Sequence, residues 1–202
     1  MGLARHKGWL KKTGQETPFS DHFVIALDDG FYQMGISHDY TLLTTGQYSG
    51  TTDITVNGKT DSMSNETVLD NVTGLMWTRY CSDSVGPSSD GKLLFVDDEG
   101  KREDALEYVR QANYASLAGH QDWRLPNLAE IMSIAQEHED SLDDTYFEDE
   151  DVAFWGSTRK VNRPDLVASF TASFPPVSLE NDKDTDTLAI RLVRGGHTDD
   201  DL

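Results

Sequence analysis

Leu117-Ala118-Gly119-His120-Gln121-Asp122-Trp123-Arg124-Leu125-Pro126-Asn127-Leu128-Ala129-Glu130-Ile131-Met132 is the stretch whose reading decides the fold. Its second half announces a helix. Pro126 fixes the approach of the chain, Asn127 is a natural N-cap, and Glu130 stands three residues on as the partner in a capping box. Leu128, Ile131, Met132 and Ala135 recur on one apolar face, which predicts a helix that runs out near Gln136. The first half reads as a loop that the fold must hold in place. Gly119 permits a turn with positive φ. Trp123 brings a large apolar area and an indole N–H that needs an acceptor. Arg124 is placed to bond backbone carbonyls or an acidic neighbour and so to fix the loop ahead of the helix.

Working outward, residues 102–115 predict the other helix, with Ala105, Tyr108, Val109 and Ala112 on one face and Arg102, Glu107, Arg110 and Gln111 on the wet side. Earlier still, residues 67–80 read as two strands joined at Asp70-Asn71-Val72-Thr73-Gly74, the second being Leu75-Met76-Trp77-Thr78. Asn57-Gly58 marks a hairpin turn inside the Thr/Ser/Gly-rich run 40–66. Residues 22–27 read as a buried strand and 82–91 as a loop. Downstream, 152–157, 166–174 and 187–194 read as strands, with Leu188, Ile190 and Leu192 turned to one face in the last. Two helices among short antiparallel strands define an α+β fold in which loops outweigh regular structure. The expected organisation is an extended arm over 1–20, a domain over 21–196 and an acidic tail over 197–202.

The net charge is -19, from 36 acidic and 17 basic residues. A polyanion of this strength is repelled by nucleic-acid phosphates and by anionic lipid surfaces, so neither is an expected partner. The charge is uneven: residues 1–12 carry Arg5, Lys7, Lys11 and Lys12 and no acid, which sums to +4 and leaves -23 for the rest. Two readings stay open, a solvated arm and a docking arm that clings to an acidic partner or to a neighbouring copy. Cys81 is the sole cysteine, so no internal disulfide forms. No stretch approaches the ~18 apolar residues of a membrane span. The start of the chain has no apolar signal core, which implies synthesis in the cytosol.

Four segments in order resemble one family: Asp70 to Trp77, Leu117 to Asn127, Phe154-Trp155-Gly156-Ser157-Thr158, and Ile190-Arg191-Leu192-Val193-Arg194-Gly195-Gly196. This is similar to the domain named after the C-terminal domain of the Legionella collagen-like adhesin, the Lcl C-terminal domain. Lys12-Thr13-Gly14-Gln15 and Asp28-Asp29-Gly30 also resemble its leading segment, so the likeness spans 12–196. The resemblance implies a C-type-lectin-like fold, in which a helix pair packs on a twisted antiparallel sheet and long loops on one side bind ligands. Family members are surface, adhesin and phage-encoded proteins, some of them glycan binders and some trimers. Many carry a cysteine in the first helix and another in the final strand. Here Val109 and Leu192 stand at those positions, which implies packing in place of a disulfide and suits folding in a reducing cytosol.

No catalytic constellation emerges. There is no His-Glu-x-x-His or Gly-x-Ser-x-Gly pattern, and the cysteine pair that oxidases of the implied fold class use is missing, so the chain is not expected to be an enzyme. His120 and Asp122 fall inside the structural motif. Asp182, Asp184 and Asp186 have D-x-D-x-D spacing, but Thr187 and Val193 stand where an EF-hand needs Gly and Glu. The nine acids of 137–151 supply oxygen ligands, so calcium is kept as an open alternative and no other cofactor or metal site is expected. By analogy with the implied fold, the 154–165 and 174–186 loops flank a binding face. There Trp155 offers an aromatic plate, Arg159, Lys160 and Arg163 offer cations, and Asn162 offers an amide; the cations either clamp an anionic group or offset the 137–151 acids, and Trp155 is alternatively core. The expected function is a non-catalytic module on the surface of a phage virion or similar particle, a homo-oligomer with a trimer as one option, binding a host glycan or surface protein. A capsid or tail decoration protein anchored by its arm, and a secreted or cell-surface bacterial adhesin, are the alternatives.

Overall fold

The computed structural model describes residues 38–82, 93–95, 104–135, 142–149, 151–171 and 177–195. The expected arm with Arg5, Lys7, Lys11 and Lys12, the strand at 22–27, most of the 82–91 loop and the tail at 197–202 lie outside the described residues. What is described is a mixed α+β domain whose paired strands are all antiparallel.

The first strands are β1 (Tyr40–Leu43), β2 (Thr51–Val56), β3 (Lys59–Ser64), β4 (Thr67–Asp70) and β5 (Leu75–Thr78). The two helices are α1 (Asp104–Tyr114) and α2 (Leu128–Ile134), with the short β6 (Leu93–Leu94) ahead of them. The second half adds β7 (Phe154–Lys160), β8 (Arg163–Phe170), β9 (Val177–Asp182), β10 (Thr187–Leu188) and β11 (Val193–Gly195). They assemble as a four-stranded sheet in the order β1-β4-β5-β11, a three-stranded sheet β7-β8-β9, and two ribbons, β2-β3 and β10-β6.

The turns form where local chemistry demands them. Asn57 and Gly58 both have positive φ, 52° and 77°, and Val56 faces Lys59, so the β2–β3 hairpin closes on two residues. Between β4 and β5 the Asp70 carboxylate accepts from Val72 N (3.0 Å), Thr73 N (3.3 Å) and the Thr73 hydroxyl (2.7 Å). Asp70 is fully buried, and Gly74 follows at φ 73° with its amide donating to the Asp70 carbonyl. The Asp-x-x-Thr-Gly string is thus a self-contained turn device. At the head of α2, Asn127 Oδ1 accepts from Glu130 N at 2.9 Å and Glu130 Oε2 accepts from Asn127 N at 2.8 Å, the reciprocal capping box.

Two apolar clusters fill the domain. One joins Ile54, Val56 and Met63 of the β2–β3 ribbon to Ala105, Tyr108 and Ala112 of α1, with Trp123 and Trp155. The other gathers Trp77, Ile131, Phe147, Phe154, Phe170 and Val193. The segment 189–193 runs between them. It was expected to be part of one strand, 187–194, buried on one side. Instead β10 ends at Leu188, β11 begins at Val193, and Ala189, Ile190, Arg191, Leu192 and Val193 are all fully buried. The period of two is real but separates two cores: Ile190 and Leu192 enter the first, Ala189 and Val193 the second.

Two further expectations need correction. Met132 is 62% exposed, because the buried stripe of α2 passes through Ile131 and Ile134 toward Ala135, and position 132 lies about 100° around from 131. The Trp123 indole finds the acceptor it needs in Leu117 O at 2.9 Å, whereas the buried Trp77 indole N–H has none among the described residues. The 154–165 segment, read as a loop, is largely strand, with β7 and β8 forming a hairpin that turns at Val161-Asn162; within 174–186, also read as a loop, residues 177–182 form β9 alongside it.

Candidate recognition hairpin

The β7–β8 hairpin is rooted in the core and projects a polar tip. At the root, Gly156 has no room for a side chain. A Cβ there would lie 2.8 Å from Ile131 Cδ1 and 3.0 Å from Ala168 O. That close approach brings Ser157 N within 2.7 Å of Pro126 O and lets Thr158 Oγ1 accept from Leu128 N at 3.0 Å. The hairpin and the start of α2 therefore hold each other. Trp155 belongs to this root. It has no exposed surface, donates its indole N–H to Leu93 O at 2.7 Å and meets the Phe95 ring edge-on at 5.6 Å. It offers no plate to a ligand, and its alternative place in the core is the one it occupies.

The other expected ligand contacts, Arg159, Lys160, Asn162 and Arg163, do cluster at the outer end. Lys160 is bonded to Glu180 across the sheet. Arg163 grips Asp165 through three contacts of 2.7 to 3.2 Å. That hydrogen bonding holds the Asp165 carboxyl below its ordinary range and raises the Arg163 guanidinium above its own. Among the described residues, the acids that Lys160 and Arg163 hold are thus those of their own sheet. Arg159 differs: it is exposed, lies 5.9 Å above the Phe95 ring and has no carboxylate partner among the described residues. Val161 is 84% exposed and Asn162, at φ 67°, is exposed beside it.

At the end of β9 the Asp182 and Asp186 carboxylates serve their own backbone, and Asp184 accepts from Lys183 Nζ at 2.7 Å. Asp186 Oδ2 accepts from Asp182 N at 2.7 Å and Asp182 Oδ1 accepts from Asp184 N at 2.9 Å. Among the described residues no three His, Cys, Asp or Glu side chains converge as a metal site would require.

The motif residues are engaged in the frame. Arg124 forks onto Glu130 at 2.6 and 2.7 Å, holding the loop before α2 as the sequence implied. Arg194 bonds Asp122 at 2.7 Å. Sequence reading missed Arg191. Its guanidinium is fully buried, donates to the carbonyls of Thr78, Arg79, Glu148 and Asp149, and lies 5.3 and 5.5 Å from the Phe147 and Phe154 rings. An arginine in the otherwise apolar run 188–193 was the available signal. Beside it Cys81 is buried, and burial pushes its thiol up to about 11, so the thiolate that reactive cysteines need is suppressed. Val109 and Leu192 both pack on the first apolar cluster.

The Lcl C-terminal domain family matches residues 66–194, well over half the chain, and the chain belongs to that family. The membership points to a surface or secreted module. The match opens just before β4, so Lys12 to Gln15 and Asp28 to Gly30 lie outside it, as do β1, β2 and β3. No curated protein and no solved structure matches the chain.

Proposed function

We propose that this chain is a non-catalytic recognition module on the outside of a phage virion or similar particle. Its scaffold is C-type-lectin-like, and the β7–β8 tip meets a host glycan or surface protein. One contrast carries the reading. The titratable and aromatic groups of the family motifs are engaged in the frame, whereas Arg159, Val161 and Asn162 stand exposed at the end of a hairpin fixed at its root. A cation, an apolar side chain and an amide side by side supply charge, contact area and hydrogen bonds for an anionic or hydroxyl-rich ligand. The test is a glycan array with purified protein, with calcium and again with chelator, repeated with Arg159→Ala. Specific binding that the substitution abolishes supports the hairpin. Retention of binding in Arg159→Ala overturns its role, and loss in chelator brings a cation into the site.

The charge contrast between residues 1–12, at +4, and the rest, at -23, favours a second reading, a capsid or tail decoration protein anchored by Arg5, Lys7, Lys11 and Lys12. Deleting 1–12 then abolishes attachment to particles and leaves the domain folded. In the adhesin alternative, the protein is found on bacterial cells and in culture medium instead of on particles.

A further inference from the structure

We propose that His120 is an acid-released clasp: uptake of a second ring proton frees the turn Gly46–Tyr48, ahead of β2, from the turn Leu117–Gly119 that follows α1. No side chain of the turn Gly46–Tyr48 is fully buried, and only the half-buried Tyr48 packs against the first apolar cluster. Polar contacts add to that hold. Tyr48 Oη lies 3.3 Å and Gln47 Nε2 lies 3.4 Å from His120 Nε2. Asn65 adds a second tie, donating to Ser49 O at 3.2 Å while accepting from Ala118 N at 3.2 Å.

The direction of these bonds matters. An amide nitrogen only donates, so His120 Nε2 is an acceptor and the proton of the neutral ring sits on Nδ1. The same placement of the Gln47 amide turns its Oε1 toward Gly119, where a Cβ would lie 3.0 Å away. Glycine next to His120, at φ 79°, is therefore a condition for seating the turn. An imidazolium has two donors and no acceptor. It sets a donor against the Gln47 amide and leaves Tyr48 only the reversed bond, in which the hydroxyl oxygen accepts.

The surroundings favour the neutral ring. Tyr48 lies alongside it at 6.0 Å, the Trp123 ring meets it at 6.2 Å, and the Arg194–Asp122 pair flanks it. Burial first, then the Arg194 charge, lower the imidazole below its ordinary pKa; Asp122 opposes them. Because the folded value is the lower one, the clasp is fully effective above the unfolded histidine value of about 6.5 and weakens as pH falls below it.

The test is hydrogen exchange of the 46–50 and 117–120 segments at about pH 7.5 and about pH 5, with rates corrected for intrinsic pH dependence. Protection in both segments is expected to fall severalfold at the lower pH while β4 and β5 keep theirs. His120→Gln, which retains an acceptor and never charges, is expected to show equal protection at both. An NMR titration of the His120 ring in the wild-type protein is expected to give a midpoint below that of an ordinary histidine. The inference is overturned by wild-type protection that ignores pH, by the same acid loss in His120→Gln, or by a ring that titrates at or above the ordinary value. Should His120→Gln not fold, the wild-type exchange and the ring titration decide it.

Discussion

The two tight hairpins of this domain start from the same local chemistry and end differently. Each turns on two residues with an asparagine at positive φ, Asn57 in the first and Asn162 in the second. The β2–β3 turn is latched: Asn57 Nδ2 donates to the nearly buried Asp104 at the head of α1, at 2.9 Å. Behind it Ile54, Val56 and Met63 enter the core, and Tyr108 of α1 donates to the buried Asp61 carboxylate at 2.6 Å. The β7–β8 hairpin reverses this order. Its root is buried and its tip, with Val161 and Asn162, is exposed. A turn signal fixes where a hairpin bends; the neighbour it meets decides whether its tip supports the fold or remains open to a partner.

The largest break in this contrast comes from the cores. Met63→Ala, in the latched hairpin, is expected to cost about 2–5 kcal/mol through lost burial and a residual cavity. Val161→Ala, at the open tip, is expected to stay within about 0.5 kcal/mol. Urea unfolding of the two variants measures both, and similar losses would remove the distinction. Tyr108→Phe comes next. It leaves the buried Asp61 short of a donor and is expected to cost about 1–3 kcal/mol. Asn57→Ala follows at about 1–2 kcal/mol, from the lost Asp104 bond and from a side chain poorly suited to positive φ.

The smallest expected effect is electrostatic and belongs to the open hairpin. The Arg163 bond holds Asp165 below its ordinary pKa, so the contribution of this pair is present above the unfolded aspartate value of about 3.9 and is lost as pH falls through the lower folded value. The pair lies at the surface, with Arg163 exposed and Asp165 half-buried, so melting temperature should change little on Asp165→Asn at neutral pH. The substitution should instead blunt the acid sensitivity of β7–β8 amide exchange below about pH 4. A large neutral-pH loss would show that the tip is more tightly held than its exposure implies.

The helix starts and turns were legible because their causes are local. Asn127 and Glu130, Asp70 with Thr73 and Gly74, and Asn57-Gly58 each act within a few residues, and all formed as read. The candidate site was only half legible. Arg159, Lys160, Asn162 and Arg163 do share one tip, but the same residues were read as a loop because the outer half of β7 is polar and carries no apolar alternation. Trp155 was ambiguous for a related reason. An indole serves equally as core or as ligand plate, and only the position of Leu93 O and Phe95 assigns it to the core.

The sequence by itself determined the family, the α+β class, the caps and the tight turns, since each follows from residue types at short spacing. The tertiary structure decided what those short-range signals do not encode. It turned 189–193 into a divider between two cores and buried Arg191 among four carbonyls. It also drew Gln47 and Tyr48 onto His120, more than 70 residues away. These outcomes depend on which surfaces meet after the chain collapses. Burial and long-range polar pairing are properties of the assembled neighbours, and no window of sequence contains both partners.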